Sequence, residues 1–132
     1  MVQKGIVKAG VLGGVAVVCG AFGAHALKEV LSVEQLQSFN TGVRYQLIHA
    51  VVLLVLALFQ HHFAVKAFKR AEQFMFWGVL LFSGSIYVLT LKNILGLDFL
   101  KFVGPVTPIG GILMIIGWVF VVIGGLRVSR QQ

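Results

Sequence analysis

Formal charges in this chain fall in clusters and leave four long windows without any: Ala9 to Leu27, Tyr45 to Val65, Gln73 to Leu91 and Phe102 to Leu126. At about 1.5 Å of helix rise per residue, each window can cross roughly 30 Å of hydrocarbon. None alternates polar and apolar residues as a barrel strand would, and in lipid only helices or closed barrels satisfy every backbone group. The expected fold is an all-α, four-helix transmembrane bundle with spans near residues 9–27, 45–65, 73–91 and 105–126. Pro105 and Pro108 mark the start of the last span, where first-turn amides have no helical partner to lose. A hydrophobic content of 58 % over 132 residues fits a single integral membrane domain.

The distribution of basic residues suggests an orientation. With four spans, Lys4, Lys8, Lys66, Lys69, Arg70, Arg127 and Arg130 fall on one side, and Lys28, Arg44, Lys92 and Lys101 on the other. Seven against four places both termini in the cytoplasm. The net charge of +7 is read as topology, not as nucleic-acid binding, because no basic block joins a soluble face that could carry a duplex. The first window also has the outline of a cleavable secretory signal, with Ala24-His25-Ala26 as a cleavage triplet; unprocessed, it is the first span. Cys19, the only cysteine, has no intrachain partner and reads as a small packing residue.

The first span carries a ridge of small residues, Ala9, Gly13, Ala16, Gly20 and Gly23, and the fourth repeats Gly110, Gly117 and Gly124 at heptad spacing. Such faces let helices approach closely, against each other or across a homo-oligomer interface, although glycine is common in membrane helices generally. Between spans one and two, Ser32 and Gln35 form a capping-box pattern that starts a helix near Val33. Apolar residues on one face then suggest a short interfacial helix over about 33–42, with Gly42 as the bend, and the second helix starts either near Val33 or after Gly42. At an offset of 64, Gly14, Gly20 and Lys28 fall on Gly78, Gly84 and Lys92, the outline of a parallel repeat of the kind some transporters contain.

Polar residues within the spans gather toward the side away from the termini: His25, Arg44, Tyr45, Gln46, His49, Tyr87, Thr90 and Thr107. Intramembrane ionisable groups are costly and tend to face a bundle interior or a functional site. One reading is an outer polar pocket around His25, Arg44, Tyr45, His49, Tyr87 and Thr107 that takes a lipid headgroup or small anion. The other is ordinary anchoring, with Arg44 snorkelling, the tyrosines in an interfacial belt and the histidines bonded to nearby carbonyls. No carboxylate is expected inside a span, so an acid–base pair would need Glu29, Glu34 or Asp98 to reach in from a loop. The histidines lack companions for a zinc site, and no metal or cofactor is expected.

GAFGAHALK (residues 20–28), LSVEQLQSFNTGVRYQLIHA (31–50), LLFSGSIYVL (80–89) and GPVTPIGG (104–111) together resemble the small membrane proteins grouped as domain of unknown function 423, a family that includes eukaryotic transmembrane protein 256. Proline is frequent in that family where Val33 stands here. The resemblance spans nearly the whole chain and implies four spans in a bacterial inner membrane; it implies no activity. Sequence thus leads to a small integral membrane protein, read as non-enzymatic, whose expected partners are membrane lipids and further copies of itself. A small oligomeric transporter or channel, and a lipid-modifying enzyme, stand as alternatives.

Overall fold

The computed structural model describes residues 2–129, and Arg130, counted above for topology, lies outside them. Four long helices make up the fold: α1 (Val2–Ala24), α2 (Val33–His62), α3 (Lys66–Leu91) and α4 (Val106–Ser129). Each is long and apolar enough to cross a membrane, and the described residues contain no strand.

Local chemistry sets the helix ends. Ser32 Oγ accepts from the Gln35 amide at 3.2 Å while Gln35 Oε1 accepts from the Ser32 amide at 3.0 Å, a complete capping box. The helix it starts does not stop at Gly42. Residues 33–42 are the first turns of α2, not a separate interfacial helix, and Gly42 is no bend but a buried contact beneath Tyr87 and Ile86. At thirty residues α2 is about 45 Å long, well over the ~30 Å of a hydrocarbon core. A three-residue turn at 63–65 then reverses the chain, with the Phe63 amide bonded to Phe59 O. Beyond α3, Gly96 takes a left-handed φ of 67° and the Leu97 amide reaches back to Lys92 O, a glycine-terminated helix end. A 3₁₀ helix, Asp98–Val103, leads to Pro105 and α4.

Contacts run in opposite order along successive helices. Gly5, Gly13 and Gly20 of α1 meet Ala57, Ala50 and Val43 of α2, so the two are antiparallel. Gly42 meets Tyr87 while Gln60 bonds Glu72, which makes α2 and α3 antiparallel as well. Gly78, Met75 and Phe68 of α3 face Gly110, Gly117 and Gly124 of α4 in that order. The helices pack chiefly as a row, α1 on α2, α2 on α3 and α3 on α4. The small-residue faces of α1 and α4 therefore do not pack against each other. Each is occupied by its neighbour in sequence, the geometry short connections favour.

The tightest crossing joins α3 to α4. A Cβ on Gly78 would lie 2.8 Å from Met114 N and 2.9 Å from Gly110 O, so the two backbones are in contact there. Leu53, Leu56, Met75 and Val79 are fully buried between α2 and its neighbours. Outward faces of α1 and α4 stay apolar, with Val17, Phe22, Ile115 and Val122 more than half exposed. Lipid supplies no hydrophobic drive between helices, so close packing and hydrogen bonds hold the row together.

Candidate functional site

Three helices are hooked together through one glutamine. Gln46 Nε2 donates to the Leu12 carbonyl of α1 at 2.9 Å, and Tyr87 Oη donates to Gln46 Oε1 at 2.7 Å. One turn away, Ser83 Oγ donates to Gly42 O at 2.7 Å. Gln46 and Ser83 are buried, so these bonds satisfy groups that lipid could not.

His49 is also committed to structure. Its Nδ1 lies 2.8 Å from Tyr45 O on its own helix, and Nε2 accepts from Trp118 Nε1 at 3.3 Å. A carbonyl acceptor on one side and an indole donor on the other require the neutral tautomer with hydrogen on Nδ1. The pair ties α2 to α4 across the edge of α3. The Tyr45 ring packs on Phe82, with centroids 4.8 Å apart. Thr107 shares a 2.6 Å hydrogen bond with Ser85, which joins the start of α4 to α3.

Of the six residues expected to form one outer pocket, Tyr87, His49 and Thr107 thus belong to three separate helix contacts. His25 and Arg44 are exposed, and neither side chain makes a hydrogen bond or ion pair among the described residues. No carboxylate bonds a histidine there, and no three His, Cys, Asp or Glu residues are grouped to hold a metal ion.

Two cavities open at this end. A polar hollow of about 340 Å³ between α2 and α3 is lined by Glu34, Gln35, Ser38, Thr90 and Thr107, with Ile86 and Leu89. Its only ionisable group is an acid, which suits an anion poorly. A larger cleft of about 530 Å³ lies where α1 and α3 part over α2. Val18, Phe22, Leu27, Phe39 and Leu91 make its walls apolar, and Cys19 and Tyr87 are its only hetero-atom side chains. Basic residues flank this lining in sequence: His25 precedes Ala26, Lys28 follows Leu27 and Lys92 follows Leu91.

One expectation is overturned outright: a carboxylate does lie within a helix of the bundle. Glu72, in the second turn of α3, is 5 % exposed. Lys8 Nζ sits 3.0 Å from its Oε1 and Gln60 Nε2 2.8 Å from its Oε2, so a partner from each of α1 and α2 makes the burial tolerable. Gln46 was legible as a polar residue within a span, but Trp118 and the Lys8–Gln60–Glu72 group carry no local signal. Their partners lie up to 69 residues away in sequence.

Comparison with known proteins agrees with this architecture. The family profile described as "Protein of unknown function (DUF423)" matches residues 19–111. The UPF0382 membrane protein YwdK of Bacillus subtilis is 36 % identical over 113 residues, covering 85 % of this chain and 87 % of that protein. A UPF0382 membrane protein of Staphylococcus saprophyticus is 35 % identical, covering 86 % and 88 %. The UPF0382 inner membrane protein YgdD of Escherichia coli K12 is 32 % identical over 126 residues, covering 96 % and 92 %. No solved structure matches the chain. With the profile covering most of its length and relatives aligned nearly end to end, the chain belongs to the DUF423 family of small multi-pass membrane proteins.

Proposed function

We propose that the protein is a non-enzymatic inner-membrane protein that holds an anionic lipid in the cleft between α1 and α3, with an acyl chain inside and the headgroup at the mouth. The observation that carries this reading is the apolar cleft of about 530 Å³ flanked by His25, Lys28 and Lys92. Its lining runs from Val18 on α1 to Leu27 and Val30 beyond the end of that helix, a stretch suited to a length of acyl chain. Because lipid tails are as apolar as the walls, the chain adds little selectivity. Selection comes from charge, at about 1 kcal/mol per basic residue near an anionic headgroup. Arg44, exposed on the outer face of α2, adds to the positive potential of this end. With both termini cytoplasmic, the cleft faces the outer leaflet of the inner membrane.

Lipid retained through purification in mild detergent tests the reading. Ala26→Trp, which fills the cleft, is expected to lower the amount of bound lipid. The pair Lys28→Gln and Lys92→Gln is expected to keep lipid but lose the preference for anionic headgroups. Equal amounts and composition in wild type and all variants would overturn it.

Self-association is a second reading, favoured by Gly10 and Gly14. They stand four residues apart on α1, and a Cβ at either would meet nothing within 4 Å. This leaves a close-approach face open to the α1 of another copy. Leucine at both positions should abolish cross-linking between copies; cross-linking that persists unchanged removes this face from consideration.

A further inference from the structure

The opposite end of the row, where the chain begins and α2 turns into α3, holds a second group of polar side chains. Two adjoining cavities lie there, of about 160 and 270 Å³, and both are lined by Gln60 and Lys69. Lys4, Lys8, Glu72 and Gln73 complete the first, and Lys66 stands in the second. We propose that this basin binds an oxyanion of the phosphate class, either free phosphate or the phosphate of a lipid headgroup.

Charge arrangement is the first argument. Lys4 and Lys8 are four residues apart on α1, and Lys66 and Lys69 three apart on α3, spacings that place like charges side by side on each helix at a cost. Among the described residues, Lys4, Lys8, Lys66 and Lys69 line the two adjoining cavities, and Glu72 is the one carboxylate that does so. Each Glu72 oxygen has a partner, Lys8 on one and Gln60 on the other, so Glu72 holds Lys8 in place at the basin. Gln60 spends its second amide hydrogen on Leu56 O at 3.2 Å, which fixes it too.

Geometry is the second. Lys8, which lines the smaller cavity, gives one of its three N–H groups to Glu72 and lies 4.8 Å from the centroid of Phe76. The smaller cavity alone has room for about five waters at ~30 Å³ each, enough for a tetrahedral oxyanion. Several ammonium groups around one such anion provide charge-assisted hydrogen bonds to oxygens that a monatomic chloride lacks. The site shares no residue with the cleft at the other end and does not depend on it.

The test is thermal unfolding of the full chain, first in neutral detergent with inorganic phosphate against chloride at equal ionic strength. The second arm uses nanodiscs of phosphatidylcholine with and without phosphatidic acid. A saturable rise in melting temperature with inorganic phosphate assigns a free-oxyanion site; a rise only with phosphatidic acid assigns a headgroup site. Lys4 and Lys66 are exposed, so Lys4→Gln with Lys66→Gln should fold normally and shift the stabilisation midpoint by about tenfold. Lys28→Gln with Lys92→Gln should leave that midpoint unchanged. Absence of stabilisation beyond chloride in both arms, or stabilisation indifferent to Lys4→Gln with Lys66→Gln, would overturn the proposal.

Discussion

Tyr87 donates its hydroxyl to Gln46 over 2.7 Å, and Gln46 passes the connection on to the α1 backbone at Leu12. Removing the hydroxyl leaves a buried amide oxygen with no water to replace it. Tyr87→Phe should therefore lower stability by about 1–2 kcal/mol, the cost of an orphaned buried acceptor. Gln46→Leu takes the acceptor from the Tyr87 hydroxyl and the side-chain donor from the Leu12 carbonyl. In a double-mutant cycle the two changes should cost less together than their sum, by about 1 kcal/mol. Unfolding in mixed detergent micelles measures this, and strict additivity would mean the bond contributes nothing.

The α3–α4 crossing makes a sharper prediction, because it has no side chain that can yield. A Cβ on Gly110 would collide with the backbone at Phe82 and Gly78, so the helices must move apart. Gly110→Ala should cost about 3 kcal/mol or more, in the range of overpacking that rotamer changes cannot relieve. Gly10→Ala meets only open space and should change stability by less than about 1 kcal/mol. Thermal melts that rank the two equally would contradict the packing described.

Charge spacing and capping chemistry made much of this fold readable. Four windows bounded by charges correspond to four long apolar helices, and Ser32 with Gln35 marks the start of α2 at Val33. What escaped depends on tertiary pairing. A formal charge ordinarily ends a span, yet Glu72 continues α3 because Lys8, 64 residues earlier, neutralises it. Gly42 reads as a bend in isolation; in the bundle it is a tight contact between α2 and α3, where an added Cβ would lie 3.0 Å from the Tyr87 ring. The cleft beside Lys28 and Lys92 arises where α1 and α3 part over α2, a consequence of packing order that no local motif encodes.

His49 separates structural from binding roles. Both ring nitrogens are occupied, by Tyr45 O and Trp118 Nε1. His49→Phe should lower stability by about 1–2 kcal/mol through loss of the tie to α4 and an unpaired indole N–H. It should leave the amount and composition of lipid retained by the cleft unchanged. Lipid loss without destabilisation would return His49 to the list of binding residues.

The two ends of the row differ in basic residues, which makes an orientation testable. The end bearing α1's start and the α2–α3 turn carries Lys4, Lys8, Lys66, Lys69, Arg70 and Arg127, whereas Lys28, Arg44, Lys92 and Lys101 mark the other. The excess of basic residues should hold the first end in the cytoplasm. In a Cys19→Ser background, Ala64→Cys in the α2–α3 turn should resist a membrane-impermeant maleimide applied to spheroplasts and react once the cells are lysed. Asn93→Cys, just beyond α3, should react in both. Both positions are exposed, so a failure to label does not reflect burial within the protein. The reverse pattern would place the cleft on the cytoplasmic leaflet and the lysine basin outside, where phosphate-bearing ligands would have to come from the opposite compartment.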